Sequence, residues 1–124
     1  MRNLLEETKQ VLEENGKTFE DVRWIGSNDF YIDIDNFLVV ADTEYDNGYG
    51  GQEVARDLLV VGDDWWLERH QYDGSEWWEY KTTPQKPNTH LTNLQALTTD
   101  QAQRNDIHVV AWENLAVLNG LEGE

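Results

Sequence analysis

Apolar and polar residues follow two different periods along this 124-residue chain, and the period changes near Asp21. Over residues 2–15, Leu4, Leu5, Val11 and Leu12 fall on one helical stripe. Glu6, Glu7, Lys9, Glu13 and Glu14 lie mostly opposite, the pattern of an amphipathic helix with a solvated acidic face. Asn15-Gly16 is a helix stop signal, because glycine takes the left-handed conformation that closes a helix C-terminus.

From Asp21 the period becomes two. Val22 to Gly26 is an expected first strand. Phe30, Ile32 and Ile34 alternate with Tyr31 and Asp33, which predicts a second. A tight turn at Asp35-Asn36 would return the chain as Phe37 to Asp42. In that register Ile34 faces Phe37, Ile32 faces Val39 and Phe30 faces Ala41, so the apolar faces match. Thr43 to Gln52 carries Gly48, Gly50 and Gly51 with Tyr45 and Tyr49, and reads as a loop. Val54 to Val61 resumes a strand, and Gly62-Asp63 turns it.

The segment Asp63 to Lys81 holds four of the six tryptophans in two Trp-Trp pairs around Asp73-Gly74. Neighbouring side chains on a strand point to opposite faces, so each pair sends one indole inward and one outward. Turn length decides which. A two-residue turn sets Glu68 against Glu79, two like charges. A three-residue loop, Asp73-Gly74-Ser75, sets Arg69 against Glu79 and His70 against Trp78. Opposite charges across a pair contribute about 0.2–1 kcal/mol and like charges cost. The three-residue loop is therefore expected. It puts Trp65, Leu67, Arg69, Gln71, Trp77, Glu79 and Lys81 on one face. Trp66, Glu68, His70, Tyr72, Glu76, Trp78 and Tyr80 share the other, which leaves Trp66 and Trp78 outside beside His70.

Pro84 and Pro87 end the sheet within Thr82 to Asn93. Thr98 and Gln101 have capping-box spacing, so a short helix follows. Residues 107–118 fit either period, and a helix stopping at Asn119-Gly120 is the preferred reading. The expectation is an α+β fold in a single domain over 1–124. It has an N-terminal helix, a five- or six-stranded antiparallel sheet in mostly meander order, and a helical C-terminal segment.

Charge adds the next constraint. The chain has 25 acidic against 9 basic residues, a formal −16. Residues 1–82 hold 20 of the acids and 7 of the bases, a net of −13. Such a field repels nucleic-acid phosphates and anionic membranes and speeds encounter with a basic partner. With no cysteine, disulfide and thiol chemistry are excluded. The N-terminal segment has no apolar signal core, and no apolar run approaches a membrane span, so a cytoplasmic location is expected.

Candidate chemistry is sparse. Asp33 and Asp35, with Asp29, Asp42, Glu44 and Asp46 nearby, lack the acid, Gly and Glu spacing of a calcium loop. His70, His90 and His108 lack metal-ligand spacing. Tyr49-Gly50-Gly51 lacks the Gly-Lys-Ser/Thr ending of a phosphate loop and has acidic neighbours. No metal, cofactor or catalytic residue is assigned. Glu68 and His70 are the one pair suited to acid–base chemistry, and a structural role is preferred for them. Sugar binding is the second common use of exposed tryptophan.

The stretch Tyr45 to Ala55, the segment Asp64-Trp-Trp-Leu-Glu-Arg and the segment Tyr72-Asp-Gly-Ser-Glu-Trp-Trp-Glu-Tyr-Lys resemble a family of small uncharacterised acidic proteins from phages and integrative elements of Gram-positive bacteria. The resemblance covers residues 18–87 and brings no catalytic motif. It implies an anti-defence setting inside a bacterial host, of the anti-CRISPR or anti-restriction type, where acidic side chains stand in for DNA phosphates. Independently of it, duplex DNA carries about one charge per 1.7 Å of axis, and a compact acidic body offers comparable density. The expected partner is a basic protein, such as a nucleic-acid-binding nuclease, with no direct binding to nucleic acid or membrane. Candidate partner-binding residues are Asp29, Asp33, Asp35, Asp42, Glu44, Asp46, Asp63 and Asp64, with Tyr45, Tyr49, Trp66, His70 and Trp78 as anchors. The alternative is a structural or regulatory interaction module without DNA mimicry.

Overall fold

The computed structural model describes residues 1–48 and 51–121. The chain divides into two compact units, Met1–Pro84 and Gln85–Glu124.

In the first unit, strand β1 (Arg2–Asn3) leads directly into helix α1 (Leu4–Glu14). Asn3 caps the helix by accepting from the Glu6 N–H at 3.0 Å, and Gly16 closes it at φ +72°. Helix and stop signal are where the periodicity placed them. The stripe differs in one respect. Leu4 and Leu12 are buried as expected, but Glu7 and Thr8 are buried between them. A one-turn 3-10 helix, Phe19–Asp21, then leads to strand β2 (Trp24–Gly26).

Strand β3 (Tyr31–Ile32) is short, and the expected hairpin return from Phe37 is absent. Helix α2 (Ile34–Val40) forms instead. Three residues of the expected hairpin face, Ile34, Phe37 and Ala41, also satisfy helical spacing, and with Leu38 they stand at i, i+3, i+4 and i+7. The helix buries Phe37 and Ala41 together, with Ile34 and Leu38 packed against the same core. Phe37 meets Phe19 at a 6.3 Å ring separation.

Part of the segment read as a loop is also ordered. Strand β4 (Glu44–Tyr45) pairs antiparallel with β1, Arg2 opposite Tyr45. Strand β5 (Leu59–Val61) is shorter than expected. Strands β6 (Trp65–Tyr72) and β7 (Ser75–Thr82) form the tryptophan hairpin. The five-stranded sheet has the order β3-β2-β5-β6-β7, with every neighbouring pair antiparallel. Its one departure from meander order is the step from β2 to β5. Between β5 and β6, Gly62 is obligatory, since a Cβ there would run into the buried Trp65 indole.

The hairpin turn has two residues, not three. Tyr72 pairs Ser75, so Glu68 pairs Glu79, Arg69 pairs Trp78 and His70 pairs Trp77. Asp73 and Gly74 take φ values of +51° and +87°, the double positive φ of the tight turn that matches strand twist. One face then carries Trp65, Leu67, Arg69, Glu76, Trp78 and Tyr80. Of these Trp65, Leu67, Glu76 and Trp78 are buried. Ile25, Val60 and Leu67 at the centre of the core are fully buried. Trp65 and Tyr80 stack at 5.8 Å.

The second unit contains helix α3 (Thr99–Arg104), with Thr98 accepting from the Gln101 N–H at 3.1 Å as the capping spacing predicts. Helix is confined to α4 (Leu115–Leu118) in the stretch where residues 107–118 were expected to be helical. Trp112 has positive φ in that stretch, as does Asp106 just before it, and no continuous helix allows that at Trp112. Ala96, Ala102, Val109 and Leu118 form this unit's small core. The Asn119 side chain ties its ends together, accepting from the Gln95 and Ala96 N–H groups and donating to the Ala96 and Leu115 carbonyls.

Candidate functional site

The sequence-predicted surface residues separate into three places. Asp29, Asp33, Asp35, Asp42, Glu44 and Asp46 lie on one continuous stretch through β3, α2 and β4. All but Asp46, which is half-buried, are exposed. Among the described residues, none of these carboxylates has a Lys, Arg or His nitrogen within ion-pair distance. Asp42 accepts from Asn3 Nδ2 at 3.0 Å. Between these charges Phe30, Tyr31, Val39 and Val40 are from 65% to 75% exposed. Exposed carboxylates thus alternate along this stretch with exposed apolar and aromatic side chains.

Asp63 and Asp64 sit apart, in the β5–β6 turn. Asp63 is already engaged, by Arg23 Nε at 2.9 Å and Arg23 Nη2 at 3.1 Å. This fork-to-fork pair cancels its charge locally.

Trp66 and His70 occupy the sheet face opposite the core face of the hairpin. Trp66 Nε1 donates to Glu68 at 2.7 Å, and Trp77 Nε1 donates to Glu79 at 3.1 Å. His70 Nε2 lies 2.6 Å from Glu68 Oε2 and 3.6 Å from Glu79 Oε1, and Lys81 Nζ is 3.3 Å from Glu79. These donors make the like-charge pair Glu68–Glu79 tolerable, which is why the two-residue turn survives. The indole hydrogen bond from Trp66, then the one from His70, holds the Glu68 carboxyl below its usual range. The indole of Trp77 does the same for Glu79.

Two predicted anchors are not surface residues. Trp78 is buried, and its Nε1 donates to Thr8 Oγ1 at 2.9 Å. The two-residue turn moved it inward and put Trp77 outside. Tyr45 is buried too, so it is a core residue rather than an anchor. Tyr49 lies outside the described residues.

Sequence reasoning missed the buried charge cluster that Tyr45 joins. Arg69 donates through Nη1 to Glu7 at 3.2 Å and through Nη2 to Glu76 at 2.9 Å and to the Tyr45 hydroxyl at 3.3 Å. The Tyr45 hydroxyl in turn donates to Glu7. Arg69 lies over the Trp78 ring, 4.9 Å from its centroid, and its Nε has no hydrogen-bond partner among the described residues. Burial opposes the Arg69 charge, but the bonds to Tyr45 and Glu76 and the Glu7 carboxylate outweigh it and raise its pKa. Burial, and next the bond to Glu7, push the Tyr45 hydroxyl up to about 12. One signal was available. The Leu4–Leu12 stripe runs through Glu7, and a carboxylate on a buried stripe needs a cation.

The cluster also fixes backbone. The Glu76 carboxylate accepts from the N–H groups of Glu53 at 2.7 Å and Val54 at 3.2 Å. Asn47 Oδ1 accepts from the Glu76 N–H at 2.7 Å. A purely acceptor side chain thus anchors the segment before β5, while Tyr45 anchors β4.

Among the described residues, no group of three or more His, Asp and Glu is placed to hold a metal ion, and no helix is long and apolar enough to cross a membrane. No protein-family model matches the chain, and no curated protein or solved structure does.

Proposed function

We propose that this chain is a small acidic binding protein, an inhibitor that occupies a basic nucleic-acid-binding surface of a host defence protein, in the manner of a DNA mimic. The observation that carries the reading is the run of exposed carboxylates from Asp29 to Glu44, without an ion-pair partner among the described residues and interleaved with exposed Phe30, Tyr31, Val39 and Val40. Charges not neutralised within the protein remain available to a cationic groove, where they replace phosphates and speed association. The apolar side chains between them add contact area that excludes water.

The test is binding to a panel of basic, DNA-binding nucleases across a salt series. The expected result is affinity that falls steeply as salt rises, competition with duplex DNA, and loss of most affinity in Asp33→Lys/Asp35→Lys. Binding indifferent to salt and to those charge reversals would overturn the mimic. It would favour the second reading, an interaction module that binds through apolar contacts. That reading draws its support from the aromatic outer sheet face, where Trp24, Trp66 and Trp77 are only half-buried.

A further inference from the structure

A cleft of about 520 Å³ opens beside the acidic stretch, between the start of α1, helix α2, strand β4 and the 53–58 segment. Leu4, Ile32, Phe37, Val40, Val54 and Leu58 make its lining mainly apolar, and Glu44 and Glu53 stand on the same lining. Its volume falls within the range of sites that enclose a compact ligand group.

Its walls are held in place by the buried cluster. Tyr45, on one wall, is fixed through its hydroxyl by Glu7 and Arg69. Glu53 and Val54, on another, are fixed through their N–H groups by the Glu76 carboxylate. A buried charge cluster is a costly way to stabilise a core, and here it immobilises both sides of a cleft. An occupant therefore does not bear the cost of ordering those walls.

The charge around the cleft selects the occupant. Glu44 and Glu53 have no cation within ion-pair distance among the described residues, and Arg56, next to Ala55, forms no ion pair among them. The two lining carboxylates outnumber that one cation, so the rim disfavours an anionic hydrophobe. A second copy would bring its own excess of carboxylates against this one. An apolar group flanked by cations satisfies both lining and rim.

We propose that the cleft seats a bulky apolar side chain from a basic segment of the partner, with flanking Lys or Arg residues meeting Glu44 and Glu53. This rests on the acidic-binder reading above and adds to it the anchor that would distinguish one basic surface from another.

The experiment uses two synthetic peptides, each a short Lys-rich segment, one with a central Leu-Phe pair and one with Ser-Ser in its place. Both are titrated calorimetrically against the full chain. The Leu-Phe peptide is expected to bind about tenfold tighter or better, as burial of one or two large apolar side chains implies. Ala55→Trp, which fills the cleft from an exposed position, should abolish that preference. Val40→Asn, on the exposed wall, should reduce it while leaving the circular dichroism spectrum unchanged. Glu44→Gln/Glu53→Gln should weaken both peptides alike. Equal affinity for the two peptides would sink the anchor, as would a preference that survives both cleft variants. If that equal binding still falls with salt, the acidic-surface reading stands without the anchor. If neither peptide binds, the anchor fails, and salt-insensitive binding to the nuclease panel would then remove the broader reading as well.

Discussion

Arg69 of β6 donates to Glu76 of β7 across 2.9 Å, with each side chain only 3% exposed. The same guanidinium holds Glu7, 62 positions earlier in the chain. One cation thus joins α1 to the hairpin and, through the Glu76 carboxylate, to the segment before β5.

Replacing Arg69 with Met should destabilise the fold by about 3–5 kcal/mol, because the buried Glu76 loses its cation and the buried Glu7 keeps only the half-exposed Arg2, 3.7 Å away. Adding Glu7→Gln and Glu76→Gln to Arg69→Met should recover much of the loss, since no uncompensated charge remains. Urea denaturation of the single and triple variants measures both. A triple variant no more stable than Arg69→Met would mean the cluster's charges are not what stabilises it.

Tyr45 sets the alkaline limit. Its hydroxyl titrates near pH 12 in the fold against 10 in the unfolded chain. A raised folded value favours the protonated form, so this contribution is complete below pH 10 and disappears as pH rises towards 12. Stability should therefore fall across that window, and Tyr45→Phe should flatten the fall. At neutral pH the Phe variant should itself be weaker by about 1–3 kcal/mol, since Glu7 loses a buried donor. Melting temperatures of the two proteins from neutral to alkaline pH provide the comparison.

The acid side belongs to Glu68 and Glu79, whose folded values lie below the ordinary carboxylate value of 4.5. Depressed values contribute stability that is present above that range and is lost as pH falls through the lower folded values. Each side chain is about a third exposed (33% and 36%), so solvent screening keeps the share small. Tryptophan fluorescence should nonetheless report the loss, because Trp66 and Trp77 donate to these two carboxylates. In Glu68→Gln/Glu79→Gln the acid fluorescence change should be much reduced, and an unaltered change would reassign it.

The hairpin register predicts unequal tryptophans. Trp78→Ala should cost about 3–5 kcal/mol, as removal of a buried aromatic side chain does, and it leaves Thr8 Oγ1 without its indole donor. Trp77→Ala, on the half-buried outer face, should cost far less. Equal losses, or the reverse order, would point to the three-residue loop.

What could be read without the fold was local. Helix α1 and its glycine stop follow from the spacing of Leu4, Leu5, Val11 and Leu12. The cap of α3 follows from Thr98 and Gln101. Each signal acts within a turn or two of the chain. The same local signals misled at Ile34 to Ala41, where one set of apolar positions satisfies both periods. There the decision rested on which conformation buries Phe37 and Ala41 together.

The sequence by itself thus determined the α+β class, the hairpin's place and the acidic stretch from Asp29 to Asp46, because periodicity, caps and charge are written residue by residue. Only the tertiary structure decided the hairpin register, the inward turn of Trp78, the burial of Tyr45 and the cluster of Arg69 with Glu7 and Glu76. The cross-strand rule weighed Glu68 against Glu79 as an isolated pair of like charges. In the fold that cost is offset by Trp66, Trp77, His70 and Lys81 on the outer face. On the inner face the same register gives Arg69 its carboxylates, one of them supplied by a helix far away in the chain. Partners so distant leave no mark in a local pattern beyond one glutamate on an otherwise buried stripe.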